Sequence, residues 1–233
     1  MTNFAANLLK CNSAADLRNY WAGFKDLDFD EAGNSWVAAG SPYMSTANAK
    51  FNKALQLNGS SYLSTNRTFN FGGTNSFTLE GFFKINSIST FQVVAGLYNF
   101  NSSGSLNYFF CLCVDSGKFY ARLVDNTSAT QTVYDFGNYS ANTVNRFFAL
   151  TYSNGVFSIS IDGVETTQDY VLPLSKFYIG LGCWFGSSSA RSLFTTGTIS
   201  EIRLSNVLRD VSSVPTEPFT MDANTLSLLH FNG

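Results

Sequence analysis

The segment RFFALTYSNGVFSISIDG, Arg146 to Gly163, constrains the fold more than any other part of the chain. Apolar residues recur at every second position in VFSISI, and Asn154-Gly155 and Asp162-Gly163 fall where the strand-like runs break. A period of two is the period of a strand. Asn-Gly or Asp-Gly between two such runs is the strongest short signal for a two-residue hairpin, because both central residues of that turn need positive φ. The alternation places Phe157, Ile159 and Ile161 on a buried face. It places Val156, Ser158 and Ser160 on the other, which is expected to be wet, as in an antiparallel sheet with one solvated side.

The pattern extends in both directions. Ser76–Ile85 (SFTLEGFFKI), Asn107–Val114 (NYFFCLCV), Lys118–Val124 (KFYARLV), Phe177–Leu181 (FYIGL), Ile199–Leu204 (ISEIRL) and Leu226–Phe231 (LSLLHF) are further strand-like runs, and Ser116-Gly117 is a turn between two of them. Many short runs bounded by turn residues indicate a sandwich or a barrel. Pro42, Pro173, Pro215 and Pro218 all stand near run boundaries, and Val211–Phe219 reads as a covering loop. One short helix, Ser13–Trp21 with Ser13 as N-cap, is the most helix that the pattern supports. No solenoid-length repeat and no linker divides the chain, so residues 1–233 are expected to form a single domain. A chain of this length can bury a large core without disulfide or metal staples.

Composition agrees with strands and narrows the chemistry. Aromatic residues make up 16% of the chain, with 23 Phe, while charged residues make up only 13%. Aromatic and β-branched side chains pack well on a pleated surface. The formal net charge is -2 and no Lys/Arg run exists, so the basic footprint that nucleic-acid binding requires is missing. A single histidine, His230, removes most His-based catalysis and multi-His metal sites. Cys11, Cys111, Cys113 and Cys183 have no CxxC spacing and are expected to be buried free thiols, with Cys111 and Cys113 on one face of a strand. The N-terminus has neither a basic n-region nor a long apolar h-region, so a secretory signal is not expected. No apolar stretch approaches the ~18 residues of a membrane span. The sequons at Asn58, Asn66, Asn101, Asn126 and Asn138 are then a by-product of an Asn/Ser/Thr-rich composition.

Three constellations carry candidate chemistry. In DLDFDEAGN an extended backbone would project Asp26, Asp28 and Asp30 to one face. Hard oxygen ligands of that kind suit Ca²⁺. The segment is not an EF-hand, since Glu31 stands where Gly is required, and the competing reading is a solvated strand edge and turn. In CWFGSSSAR, Trp184 could stack on a sugar ring while Arg191 donates hydrogen bonds. The competing reading makes Trp184 the anchor of its loop, and Trp21 and Trp36 packing residues. In ISEIRLS, Glu201 and Arg203 alternate onto one face and are expected to form a structural ion pair. Enzyme signatures are missing: Glu80 stands isolated in TLEGFF, and no paired-acid E-x-D-x-x-E, G-x-S-x-G, P-loop or G-x-G-x-x-G motif occurs.

The order of several segments resembles the laminin-G-like (concanavalin A-like) jelly-roll family, in particular its versions in phage tail and virion proteins. AGNSWVAAGSPYMSTANAKFNKALQLNGSSYLST (32–65), SFTLEGFFKI, FALTYSNGVFSISIDGVE, YIGLGCWFGSSS with FTTGTISEIRLSNVLRD, and FTMDANTLSLLHFNG are similar to successive elements of that family. The resemblance implies an all-β, two-sheet antiparallel jelly-roll sandwich. It also implies a structural Ca²⁺ at the rim, held by Asp30, the Gly59 carbonyl and Asp222. It further implies a non-catalytic virion protein (tail fibre, head fibre or capsid decoration) that binds a surface glycan or another virion protein and is made in the host cytoplasm. The alternative is a carbohydrate-binding or adhesion module of a bacterial surface protein. A sandwich-type glycosidase ranks below both, because the acid pair is missing. Association into a homo-oligomer fits the aromatic-rich, charge-poor composition.

Overall fold

The computed structural model describes residues 30–71, 76–127, 132–135, 139–140, 143–171 and 176–231. Cys11, the short helix expected at Ser13–Trp21, Trp21, Asp26 and Asp28 lie outside the described residues. Within them the regular elements are all strands, and no helix is long and apolar enough to cross a membrane.

In chain order these are β1 (Trp36–Ala39), β2 (Tyr43–Ser45), β3 (Ala54–Asn58), β4 (Tyr62–Thr65), β5 (Phe69–Asn70), β6 (Ser76–Ile85), β7 (Gln92–Phe100), β8 (Leu106–Asp115), β9 (Lys118–Asp125), β10 (Thr132–Asp135) and β11 (Tyr139–Ser140). They continue as β12 (Arg146–Ser153), β13 (Val156–Ile161), β14 (Val164–Asp169), β15 (Lys176–Leu181), β16 (Trp184–Phe185), β17 (Arg191–Ser192), β18 (Thr196–Ser205) and β19 (Thr225–Leu229).

A nine-stranded sheet runs β1-β4-β15-β7-β8-β9-β10, with β11 on β9 and β5 on β15. An eight-stranded sheet runs β14-β13-β12-β6-β18-β3-β2, with β19 on β18. The pairings are antiparallel throughout. The two sheets form a jelly-roll sandwich. Three hairpins close as the dipeptides dictate: Ser116-Gly117 (φ 48° and 80°), Asn154-Gly155 (49° and 88°) and Asp162-Gly163 (51° and 85°) all take the left-handed region.

The core between the sheets is built from alternate residues of both. Leu97, Phe110, Leu112, Phe119, Phe177 and Ile179 come from the nine-stranded sheet and meet Phe77, Phe83, Phe148, Leu150, Phe157 and Ile159 of the other. Phe157 has its ring centroid 4.5 Å from that of Phe110 across the sandwich, and 4.6 Å from that of Tyr152 on the neighbouring strand. An edge-to-face contact such as that of Phe157 with Phe110 adds to the burial of a full aromatic side chain.

The outer faces are also covered, which corrects the expectation of a wet side on β13. Ser158 and Ser160 are buried. The chain after β18 lies over this face, where Ser160 donates a hydrogen bond to the Val211 carbonyl at 3.0 Å. Val211 and Phe219 pack there with Phe82, Phe147 and Leu228, so Val211–Phe219 covers the sheet as its composition suggested. Over the other sheet, Tyr98, Phe109, Cys111, Cys113, Cys183 and Phe185 form a further apolar layer. Cys111, Cys113 and Cys183 are buried free thiols, and burial pushes the Cys183 thiol up to about 12. Coverage on both sides explains β7: QVVAGLYNF is apolar at successive positions and has no alternation to mark it as a strand.

Truncation of Phe157 tests the inter-sheet core. Phe157→Ala is expected to lower the unfolding free energy by about 3–5 kcal/mol in urea denaturation. The conservative Phe157→Leu is expected to lose well under half of that.

Candidate functional site

A groove of about 990 Å³ opens on the outer face of the nine-stranded sheet, where the apolar cover stops. Its floor is the end of β7, β15 and β4, which contribute Asn99, Phe100, Tyr178, Ser64 and Thr65, and Asn70 closes one side. Alternation along β15 explains the floor: Phe177, Ile179 and Leu181 point into the sandwich, so Tyr178 and Gly180 face outward. The Tyr178 and Phe100 rings lie with centroids 5.8 Å apart.

Two turns form the wall. The β7–β8 turn is wound around Asn101, whose Oδ1 accepts hydrogen bonds from the backbone N–H of Ser103 (3.0 Å) and Ser105 (2.9 Å) and from the Ser103 hydroxyl (2.6 Å). Short Asn side chains can replace a backbone acceptor in this way, which favours them in turns. Gly104 takes φ 79° there, and its carbonyl accepts the Ser188 N–H at 2.8 Å. The second turn, between β16 and β17, docks on the first through this bond and a Ser105–Ser187 bridge.

Arg191 organises the second turn. Its Nη1 donates to the carbonyls of Ser187 (2.7 Å) and Ala190 (3.0 Å), and its Nη2 to that of Ser188 (3.1 Å). Its guanidinium lies 4.1 Å from the Phe185 ring centroid and 5.3 Å from that of Tyr62, within cation–π range. Phe185 in turn packs 4.4 Å from Tyr98, whose hydroxyl donates to the Cys183 carbonyl at 2.8 Å. Trp184 points to the other side of this small ribbon. It is half-buried, its ring 4.3 Å from that of Phe109, and it does not line the groove. Of the two residues expected to bind a ligand together, Arg191 is in the groove and Trp184 anchors the loop that forms it. Asn99, Asn101 and Tyr178 carried no motif, because strands distant in sequence bring them together.

The three donors expected around one Ca²⁺ are not brought together. Asp30 is buried, and its carboxylate accepts from the backbone N–H of Ala32 (2.8 Å) and Leu228 (3.2 Å), from Asn34 Nδ2 (2.9 Å), from Trp36 Nε1 (2.9 Å) and from the Ser227 hydroxyl. It pins the start of the described chain to β19. Gly59 bonds Thr195 at the opposite end of β18 from the residues that pair with β19. Asp222 forms a two-pronged pair with Arg209 (2.6 and 2.7 Å) that holds its carboxyl well below the usual range.

The ion pair expected between Glu201 and Arg203 is also rearranged. Strand pairing slips between Ser200 and Ile202, and Glu201 is the extra residue, at φ 52°. A bulge turns one side chain away from the alternation. Arg203 therefore pairs with Glu80, directly opposite on β6, at 2.8 Å. Burial pushes the Glu80 carboxyl up, while the charge and hydrogen bond of Arg203 pull it back. Glu201 is buried and accepts from the Phe219 N–H (3.2 Å). Its other partner is His230, with Nδ1 at 2.8 Å, whose Nε2 lies 3.2 Å from Glu31.

A family model for the concanavalin A-like lectin/glucanases superfamily matches residues 57–214. Comparison with curated protein sequences finds no match. Among solved structures, the enzymatically active domain of bacteriophage CBA120 tailspike protein 2 is similar with TM-score 0.60 and 14% identity. That match covers 84% of this chain and 32% of that one, so the chain spans about a third of that domain's length. Domain 4 of AbnA, a GH43 extracellular arabinanase from Geobacillus stearothermophilus, in complex with arabinotriose, is similar with TM-score 0.55 and 17% identity. Here 78% of this chain and 87% of that one are covered. The binding domain of botulinum neurotoxin DC in complex with SialylT gives TM-score 0.54 and 12% identity over 76% and 44% of the two chains. At such identities the likeness is one of fold.

Two expectations follow. A methyl at Gly180 would fall on the Phe185 ring and 2.6 Å from Tyr98 Cε2, so Gly180→Ala is expected to cost about 1–3 kcal/mol in denaturant unfolding. Adding Phe185→Ala should recover part of that loss in a double-mutant cycle. The hydrogen bond to Glu201 raises the His230 imidazolium above its ordinary value, helped by the charges of Glu201 and Glu31 and opposed by burial. Its stabilisation is then complete below the unfolded-state value of about 6.5 and is lost as pH rises through the folded-state value. Unfolding free energy should fall with rising pH across that window, and His230→Gln should flatten the fall.

Proposed function

As a member of the concanavalin A-like lectin/glucanase superfamily, which the match over residues 57–214 establishes, the chain carries a fold that hosts many functions; we propose that this protein is a non-catalytic, glycan-binding module of a phage virion. One observation carries the reading. The groove is lined by amides and hydroxyls of Asn70, Asn99, Asn101 and Ser102 beside the rings of Phe100 and Tyr178, with no carboxylate in the lining among the described residues. Sugars present hydroxyl edges and weakly apolar ring faces. A site with fixed amide donors and acceptors around a pair of aromatic rings answers both. Glycoside hydrolysis by the usual route instead needs two acids about 5–10 Å apart at the scissile bond, and this groove supplies none.

Two kinds of structural relative support the reading by fold alone. One is a phage tailspike domain, and the others are modules in complex with arabinotriose or with SialylT. The virion part of the proposal rests on the first. Mass spectrometry of purified native particles tests it, and presence of the chain among the particle proteins is the expected result.

A glycan array followed by calorimetry tests the site. Tyr178→Ala is expected to weaken binding about tenfold or more, which is about 1.4 kcal/mol, with unfolding behaviour measured alongside to confirm an intact fold. Equal affinity in the wild type and the variant would move the site away from this groove, and no binding to any glycan at millimolar concentration would remove the reading.

A further inference from the structure

The charge in the groove goes beyond a generic sugar site. Among the described residues, its lining contains two cationic side chains, Lys176 and Arg191, and no Asp or Glu. Three other arginines of the protein are instead paired with carboxylates. Arg146 sits on Asp162, Arg203 on Glu80 and Arg209 on Asp222. The whole chain carries 14 Lys and Arg against 16 Asp and Glu, so counter-ions are not scarce. Among the described residues, neither Lys176 nor Arg191 is within ion-pair distance of a carboxylate.

Arg191 is also fixed in place. Its three donor contacts go to neutral carbonyls of its own turn, and it lies against Phe185 and Tyr62. Those contacts hold the guanidinium without neutralising it, and its Nε–H is buried without a hydrogen-bond partner. A cation held rigidly by neutral groups beside an open groove needs no reordering when an anion arrives. Lys176, at the start of β15, is exposed and adds a second positive charge from a different element. The groove lining thus carries two positive charges, although the molecule as a whole is slightly acidic.

We infer that the groove takes an acidic saccharide, its negative group held by Arg191 and Lys176 while the Asn101 amide and the Tyr178 ring meet the sugar itself. This rests on the glycan-binding reading and sharpens it to charged sugars. The shared chemistry is a negatively charged substituent, which a carboxylate or a sulfate can supply.

The experiment uses the full chain and an array with four arms. These are oligosaccharides ending in sialic acid, those ending in glucuronic acid, sulfated ones, and the carboxyl-reduced or desulfated neutral counterpart of each. The expected result is at least tenfold tighter binding to one or more acidic arms than to the matched neutral arm. That preference should shrink as NaCl is raised, because exposed charges are screened beyond about 8–10 Å at physiological salt. Lys176→Glu is expected to remove most of the preference, and Lys176→Gln should fall between. As Lys176 is exposed, both variants should unfold like the wild type. Equal binding of acidic and matched neutral sugars, or an unchanged preference in Lys176→Glu, overturns the inference and leaves the glycan-binding reading standing. No binding to any arm overturns both.

Discussion

Both faces of each sheet are kept from water over most of their area, and much else in this molecule follows from that constraint. An antiparallel sheet with one wet side needs polar residues at alternate positions. Here β8 sends Phe110, Leu112 and Val114 into the sandwich and Phe109, Cys111 and Cys113 to the other side, where a second apolar layer covers them. The 23 Phe of the chain are what such coverage demands. The covers are loops, Val211–Phe219 on one sheet and the β16–β17 ribbon on the other, each fixed by aromatic contacts and by a few buried polar bonds.

The groove exists because one cover ends. Past Phe185 the ribbon turns back, and β15 presents Tyr178 to the groove instead of a further apolar layer. Arg191 serves both sides of that edge. Its stacking on Phe185 closes the apolar layer, and its charge faces the polar cavity. A side chain with a flat apolar face and a permanent charge suits such a boundary.

Buried charge is handled differently on the other sheet. Arg203 pairs with Glu80 across the strands, and Glu201, displaced by a bulge, meets His230 and, through it, Glu31. Together with Asp30 on Ser227 and Leu228, these contacts tie the start of the described chain to the last strand and the last strand to the sheet. Buried pairs add little net stability over apolar packing but fix one arrangement, since a broken pair leaves a charge without compensation.

Local chemistry was enough for much of the fold. The Asn-Gly, Asp-Gly and Ser-Gly turns, the alternation in VFSISI and the sandwich class were legible because a period of two and a positive φ are properties of a few adjacent residues. The run SFTLEGFFKI became β6 without a change of boundary. Three things were decided only by tertiary structure. Burial of Ser160 depends on a loop fifty residues further on. The partner of Arg203 depends on a bulge that slips the register by one residue. The groove gathers Ser64, Asn99, Tyr178 and Arg191 from four strands. The sequence by itself determined which residues could lie in a sheet and where the chain could turn. Packing of distant strands decided which of their faces stayed open, because coverage is a property of two segments and neither encodes it alone.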